Sequence, residues 1–266
     1  MSENQAGQGS TEFLTKDTLF DGQLICYQHR HGYRFSVDSV LLAHFCQVQP
    51  GDRVLDLGCG SGIVGLILLF LHAEIVVTGL EIQESLINLA RRNVRENSLD
   101  ERMEILAGDA RCPGASLAAE SFDLVVCNPP YRPVGSGRLS QAGEAAIARH
   151  ELRATLADMA AAAFFAVKNK RPVYFVYPAR GMAHLLATLA EQKLVVKSVH
   201  PVYSYEDSDQ ASLVLVEAVK NGGPGCLLAP PFYVYAGPER TYSPAMQELY
   251  QGRRGALSTG QRRAII

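Results

Sequence analysis

The 266-residue sequence predicts an α/β fold, with a seven-stranded, mostly parallel sheet that carries helices on both faces and includes one antiparallel strand. Two observations support this prediction. Short apolar strand patterns alternate with helix patterns five times between residues 53 and 192, which is typical of right-handed βαβ units. The last two strand patterns, 194–204 and 211–219, have no helix pattern between them and should therefore pair antiparallel.

The elements are predicted in chain order from hydrophobic periodicity and from turn residues. A short β-hairpin region comes first, over 19–35, with turns at Asp21-Gly22 and His31-Gly32. A helix over 39–46 follows it. The strands of the sheet are then predicted at "RVLDL", "EIVVTGLEI", "MEILAGDA", "SFDLVVCN" and "RPVYFVYP", followed by the two antiparallel strands. The helices between them are predicted over 62–72, 83–97, 145–169 and 181–192.

These elements predict four regions along the chain. Residues 1–14 are polar and form a disordered lead-in, and residues 15–50 form a hairpin and helix extension that covers the cofactor site. Residues 51–220 hold the α/β domain, and residues 221–266 form a C-terminal extension and basic tail. The four arginines of the tail could contact nucleic acid or be a solvated terminus.

Composition excludes several classes of protein. With 47% hydrophobic and 20% charged residues the chain is typical of a globular protein, and its net charge of −2 neither demands nor excludes an RNA partner. The longest apolar run, 63–71, is too short to span a bilayer, so we expect no membrane association. The polar start lacks an apolar signal-peptide core, which predicts a cytoplasmic protein.

The cysteines and histidines predict no metal site. The six cysteines are widely spaced and form no C-x-x-C pair, which argues against structural zinc and a disulfide framework and fits a reducing compartment. His29 and His31 lack a cluster of partner ligands in the sequence.

The loop after the first sheet strand, "DLGCGSG", predicts a cofactor site, because ligands of open α/β sheets bind outside the carboxyl ends of strands. Gly58, Gly60 and Gly62 permit a tight turn and a close backbone approach. A G-x-G-x-G pattern alone also suits nucleotide cofactors. Asp56 would repel a pyrophosphate but suits a cationic amine, which favours S-adenosylmethionine over NAD.

Acidic residues follow the next two strands as well. Glu81 could accept hydrogen bonds from both hydroxyls of a ribose, or it could be a surface charge at a strand end. Asp109 could accept a hydrogen bond from an adenine amine, with the Ala110 backbone alongside, although Gly-Asp is also a common turn.

The fourth strand ends in Asn128-Pro129-Pro130-Tyr131, which can be a proline turn or a device that holds an amine beside the cofactor. The Asn128 carboxamide oxygen and the Pro129 carbonyl could accept hydrogen bonds from the two N–H bonds of an NH₂ group. Proline rings fix the backbone φ angles of the turn, and Tyr131 could stack on a planar substrate. The neighbouring carboxylates favour the catalytic interpretation.

Several stretches resemble the bacterial tRNA1(Val) (adenine-37-N6)-methyltransferase family, a class I methyltransferase family with an Asn-Pro-Pro-Tyr motif. The stretches are "TLFDGQLICYQHRHGYRFSVDSVLLAHF", "GSGRLSQAGEAAIARHE" and the C-terminal 216–250, so that the resemblance covers roughly 15–252. It implies a Rossmann-like class I fold, S-adenosylmethionine as cofactor, and methylation of the adenine N6 at anticodon-loop position 37. It also implies tRNA as partner, and we expect a monomer or weak homo-oligomer.

The resemblance assigns roles to residues at matching positions. The target base is assigned to Asn128, Pro129, Pro130 and Tyr131. The cofactor is assigned to Tyr33, Phe35, Ser36, Asp38, Asp56, Gly58, Cys59, Gly60, Gly62, Glu81, Ile82, Asp109, Ala110 and Asn128. The first four of these could instead form a core-packing lid. Arg30, Arg34, Arg132 and Arg138 are expected to contact RNA phosphates, and Arg132, directly after the motif, departs from the family pattern.

Other activities remain open. Asn-Pro-Pro-Tyr enzymes also methylate guanine N2 or a glutamine amide, so a guanine-N2 RNA methyltransferase and a glutamine N5-methyltransferase of release factors are alternatives. A small-molecule methyltransferase and a catalytically silent cofactor-binding or RNA-binding module are further ones. The short hairpin-rich start disfavours the release-factor enzyme, which usually carries a helical N-terminal domain. A DNA adenine methyltransferase is disfavoured because little chain remains for a target-recognition domain.

Overall fold

The computed structural model describes residues 14–30, 36–129, 154–237, 239–255 and 257. Its first two strands, β1 (Leu14–Leu19) and β2 (Leu24–His29), pair antiparallel in a two-stranded sheet of their own. The turn between them contains three consecutive residues with positive φ, Phe20, Asp21 and Gly22. The predicted hairpin turn at Asp21-Gly22 is therefore confirmed, whereas the turn at His31-Gly32 lies outside the described residues.

A nine-stranded sheet forms the centre of the molecule. Its seven longer strands are β3 (Arg53–Leu57), β4 (Val76–Glu81), β5 (Met103–Ala107), β6 (Leu124–Cys127), β7 (Pro172–Pro178), β8 (Leu194–Tyr203) and β9 (Leu213–Lys220). Their order across the sheet is β8-β9-β7-β6-β3-β4-β5. Strand β9 is antiparallel to both β7 and β8, and the other pairings among these seven strands are parallel. This arrangement confirms the predicted fold.

Two short strands extend the sheet beyond the prediction. Strands β10 (Leu227–Leu228) and β11 (Phe232–Tyr233) both pair in parallel with β8, on its outer edge. Each strand has only two residues, too few to show the alternation from which a strand can be predicted.

Helices pack on both faces of the sheet, as predicted. They are α1 (Val37–Phe45), α2 (Ile63–Leu71), α3 (Glu84–Glu96), α4 (Leu156–Ala166), α5 (Met182–Glu191) and α6 (Pro244–Tyr250). One hydrophobic core contains side chains of α1, α2, α3 and α6, and the other contains side chains of α4 and α5. Helix α6 lies in the C-terminal extension and was not predicted as a helix.

The described part of the fourth helix is shorter than predicted. It begins at Leu156, because Thr155 and Asp158 form a capping box that ends the helix on its N-terminal side. It stops at Ala166, since Val167 has extended backbone angles and forms a parallel bridge with Phe122. The prediction of a helix over 145–169 was wrong at both of these points, because an alanine-rich composition does not mark helix ends. Residues 145–153 lie outside the described residues.

Among the described residues, no helix is both long and apolar enough to cross a bilayer. The His, Cys, Asp and Glu side chains of the same residues form no group of three or more that could hold a metal ion. All six cysteines are free thiols, and four of them are buried.

Candidate functional site

The carboxyl ends of four parallel strands meet at one edge of the sheet. At this edge Leu57 of β3 pairs with Leu80 of β4 on one side and with Cys127 of β6 on the other. The chain proceeds from β3 to β4 and β5 in one direction, and from β6 to β7 in the other. Strand order therefore reverses beside β3, where a crevice for ligands is expected. The glycine loop and Asn128 directly follow β3 and β6, and Glu81 is the last residue of β4.

The glycine loop, residues 58–62, turns sharply from β3 into α2. Its three glycines, Gly58, Gly60 and Gly62, all have positive φ (72°, 57° and 81°), a region that side chains with a Cβ rarely adopt. The N–H groups of Gly58 and Cys59 donate to the Leu80 carbonyl at 2.9 and 3.0 Å, and the Gly62 N–H donates to the Cys59 carbonyl at 2.8 Å. Much of the donor capacity of this loop is thus used within the protein.

Cys59, which the resemblance assigns to the cofactor site, is buried within this loop. Burial raises the pKa of its thiol well above the ordinary value, and the negative charges of Asp56 and Glu81 raise it further. The thiol is therefore neutral at physiological pH, so that it suits packing rather than nucleophilic chemistry.

Asp56 is 2% exposed and accepts a hydrogen bond from the Gly65 backbone N–H at 3.0 Å, in the first turn of α2. Burial raises the pKa of this carboxyl to about 7; the Glu81 charge raises it as well, whereas the Gly65 N–H lowers it. A cation placed beside the loop would stabilise the carboxylate form. Asp56 thus both holds the start of α2 and supplies a titratable acid below the loop.

Glu81 connects the end of β4 to the glycine loop. Its Oε2 accepts from the Gly60 N–H at 3.0 Å, and its Oε1 accepts from the N–H groups of Ile82 and Gln83 at 3.0 and 2.9 Å. A carboxylate can accept about four hydrogen bonds, and the fourth one here is long, from the Gln83 Nε2 to Oε1 at 3.5 Å, so that a hydroxyl could replace it. Ile82 beside it is 37% exposed, an apolar surface at the edge of the crevice.

Asp109 follows β5 and forms an ion pair with Arg111, a residue that the sequence analysis did not single out. The Arg111 backbone N–H donates to Oδ1 at 2.8 Å, and its guanidinium Nη2 donates to Oδ2 at 2.6 Å. These bonds hold the pKa of Asp109 below its ordinary value. A contact with an adenine amine would have to share this carboxylate with Arg111. Ala110, between them, packs partly buried against the core of α4 and α5.

Asn128 and Pro129 follow β6 without an intervening residue. All four residues of β6 are buried, Asn128 is half-buried, and Pro129 is buried. Because Cys127 pairs with Leu57, the Asn128 backbone lies beside the start of the glycine loop. Pro130 and Tyr131 lie outside the described residues.

Some of the remaining predicted site residues lie within the part of the chain that the structure describes, and others lie outside it. Ser36 is the N-cap of α1, and its hydroxyl donates to the buried Asp38 carboxylate. Arg30 is exposed directly after β2. Outside the described residues lie Tyr33, Arg34, Phe35, Arg132 and Arg138.

The chain is similar to known methyltransferases in part of its sequence and in its fold. The model of the family "Methyltransferase small domain" matches residues 34–156, a stretch that contains the glycine loop, Glu81, Asp109 and the Asn128 turn.

Curated relatives share one description, tRNA1(Val) (adenine(37)-N6)-methyltransferase. The protein of Aliivibrio fischeri is 29% identical over 119 residues, which are 45% of this chain and 49% of that relative. The protein of Shewanella amazonensis is 33% identical over the same shares. The protein of Pasteurella multocida is 32% identical over 40% of this chain and 45% of its own length. The matched stretch thus spans about half the length of these relatives.

Solved structures with the same fold cover more of the chain. A predicted O-methyltransferase, protein Atu636 of Agrobacterium tumefaciens, superposes with a TM-score of 0.68 at 21% identity, over 82% of this chain and 97% of that one. The TYW2 protein of Pyrococcus horikoshii superposes with a TM-score of 0.55 at 13% identity, over 80% and 73%. The chain therefore has the class I methyltransferase fold, and its residues 34–156 resemble the methyltransferase small domain family.

Proposed function

We propose that this chain is an S-adenosylmethionine-dependent N-methyltransferase that acts on the adenine N6 of tRNA, at position 37 of tRNA1(Val). The observation that carries the proposal is the place of Asn128 and Pro129, two hydrogen-bond acceptors directly after β6 and beside the glycine loop. The description shared by the curated relatives, which match over about half their length, supports the same substrate.

The residues of the crevice fit this cofactor better than they fit a dinucleotide. A pyrophosphate needs free N–H donors, but the N–H groups of Gly58 and Gly60 already donate within the protein. Carboxylates lie at the carboxyl ends of three successive strands instead: Asp56 near the end of β3, Glu81 at the end of β4, and Asp109 just after β5. We assign Asp56 to the cationic end of the cofactor, Glu81 to its ribose hydroxyls, and Asp109 with the exposed side chain of Ile82 to its adenine.

The chain's own part in the reaction is to orient the acceptor nitrogen. The bound cofactor supplies a methyl group on a sulfonium, which is electrophilic without further activation. The lone pair of an exocyclic amine is delocalised into its ring, so this amine is a poor nucleophile. The Asn128 carboxamide oxygen and the Pro129 carbonyl would each accept a hydrogen bond from one N–H of this amine. These bonds would localise the lone pair on the nitrogen and aim it at the methyl group. Tyr131 would stack on the base.

RNA recognition would take place around the same edge. A base of an anticodon loop can leave its stack at little cost and be stacked on an aromatic ring. Arg30, exposed at the end of β2, is positioned in the chain just before the segment assigned to the cofactor, and we propose that it contacts phosphate. We propose phosphate contacts for Arg34, Arg132 and Arg138 as well.

One observation favours a second candidate, methylation of a glutamine amide in a protein. The loop between β8 and β9 carries three exposed acids, Glu206, Asp207 and Asp209. Because β8 runs parallel to β3, this loop lies at the same edge of the sheet as Asn128. Such a loop would repel RNA phosphates but not a neutral or basic peptide. The Asn128 and Pro129 acceptors would serve an amide nitrogen equally well.

The substitution Asn128→Ala tests the proposed role of this side chain. We expect S-adenosylmethionine to bind with nearly unchanged affinity in calorimetry, since the loop and its carboxylates are intact. Methyl transfer should fall by a factor of about 100 or more, because one acceptor for the amine is lost.

The matched control is Asn221→Ala, which removes an exposed asparagine directly after β9 that contacts Asn169. The affinity of this variant for S-adenosylmethionine and its rate of methyl transfer should both equal those of the wild type. Methyl transfer by Asn128→Ala at the wild-type rate would refute the mechanism, whichever substrate is used.

A further inference from the structure

Asn93 of α3 and Asn97, the C-cap residue directly after this helix, hold the N-terminal hairpin by its backbone. Asn97 accepts from the Ile25 N–H at 2.9 Å and donates to the Ile25 carbonyl at 2.7 Å. Asn93 accepts from the Tyr27 N–H at 2.8 Å and donates to the Tyr27 carbonyl at 3.1 Å. Each carboxamide thus bonds both backbone groups of one residue of β2, as a neighbouring strand would do.

The spacing of these residues explains why a helix can pair with this strand. Residues 93 and 97 are one turn apart, which is about 6 Å along a helix. Residues 25 and 27 are two apart on the strand, which is about 6.8 Å. The near match aligns the two carboxamides with alternate residues of β2. Those residues pair with Lys16 and Thr18 of β1 on the other side.

Asn93 makes two contacts that Asn97 lacks, and one of them is a weak contact of its Nδ2 with the Cys26 Sγ of β2, at 3.6 Å. Its Nδ2 also donates to the carbonyl of Ser61, at 3.0 Å, and the side chain is fully buried. Ser61 lies in the glycine loop, between Gly60 and Gly62. On its other side the same loop is held by Glu81, which accepts from the Gly60 N–H. A single carboxamide therefore joins the hairpin, α3 and the glycine loop.

We propose that Asn93 is a positioning residue that couples the N-terminal hairpin to the glycine loop, so that docking of the hairpin strengthens cofactor binding. The part that concerns the cofactor rests on the proposed function. Along the chain the hairpin is followed by Tyr33, Phe35, Ser36 and Asp38, which the family resemblance assigns to the cofactor. Loss of the Ser61 contact would free the loop on the side facing α3, while Glu81 would still hold Gly60.

Asn97 supplies a control, because Asn93→Ala and Asn97→Ala each remove two bonds to the backbone of β2, whereas only the first also removes the bond to Ser61. Asn93→Ala also loses the weak contact with Cys26, and Asn97→Ala also loses a bond to the Asn93 carbonyl, but neither of these involves the glycine loop. Hydrogen–deuterium exchange of the full chain without ligand separates the two roles. We expect both variants to speed amide exchange over 24–29. Only Asn93→Ala should speed exchange over 58–62, by about tenfold, as expected for one lost hydrogen bond. Unchanged exchange over 58–62 in Asn93→Ala would overturn the coupling.

The second readout is the calorimetric affinity for S-adenosylmethionine. We expect it to weaken about tenfold more in Asn93→Ala than in Asn97→Ala. Equal affinities in the two variants would reduce Asn93 to a structural clamp and overturn the proposal. If the wild type bound no S-adenosylmethionine, the proposed function would fail, and the exchange comparison would still decide the coupling. Should Asn93→Ala fold poorly, Asn93→Ser removes the same carboxamide bonds with a smaller loss of polarity at this buried position.

Discussion

Asp56 is an ionisable side chain that the fold buries almost completely at the end of β3. Its carboxyl has one hydrogen-bond donor, the Gly65 N–H, and a pKa raised to about 7 by burial. In the unfolded chain the same group has a pKa near 3.9. Between these two values the folded protein binds more protons than the unfolded chain, so this group makes the folded state less stable as pH rises.

The substitution Asp56→Asn should therefore change how stability depends on pH. Asparagine keeps an acceptor for the Gly65 N–H but cannot ionise. Relative to the wild type, the variant should gain stability as pH rises from 4 to 8, by as much as about 4 kcal/mol. Urea unfolding at several pH values measures this difference, and the other titrating groups cancel in it because both proteins carry them. Parallel pH profiles would contradict the assignment of the raised pKa to Asp56.

Residue-level partners were the least predictable part of the site. The sequence indicated acids at 56, 81 and 109 from their places after strands, but not that Arg111 pairs with Asp109. That pairing depends on the path of the turn after β5. Asn93 and Asn97 had a readable signal, because they continue in steps of four from Leu89 on the buried face of α3. An asparagine next to an apolar stripe is more often solvated, so the sequence alone did not predict that these two side chains bond to the backbone of β2.

At the scale of single elements, the C-terminal end of helix α4 receives hydrogen-bond donors from a neighbouring strand. The last carbonyls of a helix lack intrahelical partners. Here Lys220 of β9 supplies donors: its Nζ, in a side chain 5% exposed, donates to the carbonyls of Phe164 and Val167 at 2.6 and 3.1 Å. The same Nζ forms an ion pair with Glu120 at 2.9 Å. Helix α4 is thereby fixed to the antiparallel strand.

Replacing this lysine should be costly. In Lys220→Met the apolar stem is kept, but the two carbonyls lose their donor inside the protein, and we expect a loss of about 2–3 kcal/mol. The control is Lys168→Met: that lysine is 43% exposed and pairs with Asp123 at 2.7 Å, so we expect a loss below about 1 kcal/mol. Urea unfolding measures both, and equal losses would show that Lys220 is not a structural cap.

Long periodic elements were predictable, whereas element ends and short strands were not. The strands and helices between residues 53 and 107 lie within two residues of their predicted bounds, since each has a buried, regular pattern, except that β5 ends three residues before its predicted end at residue 110. The start of α4 depends on the Thr155 capping box, and β10 and β11 depend on the edge of β8 that receives them. These features arise from local chemistry or from tertiary contact.

At the scale of the whole molecule, the C-terminal extension is tied to the edge of the sheet by aromatic contacts. The rings of Tyr205, Tyr235, Tyr242 and Tyr250 follow one another with centroid separations of 5.4, 5.5 and 4.9 Å. Helix α6 then packs against α1 and buries Met246 and Leu249. The segment after β9 thus belongs to the folded body, which its sequence pattern did not indicate.

The order of the seven long strands places Asp56, Glu81, Asp109 and Asn128 at one edge of the sheet. Alternation of strand and helix predicted the parallel sheet, and the missing helix before β9 predicted its antiparallel strand. The crevice beside β3 follows from that topology and from the glycine loop. The acceptor of the methyl group does not follow from the fold, since the same crevice and the same turn suit an adenine or a glutamine amide.

The most direct measurement of the central claim uses the full chain, S-adenosylmethionine and unmodified tRNA1(Val), followed by nucleoside mass spectrometry. We expect N6-methyladenosine in this tRNA, none in a tRNA with guanine at position 37, and none with the Asn128→Ala variant. A tRNA that stays unmethylated while a protein acceptor gains the methyl group, or methylation on guanine, would contradict the account.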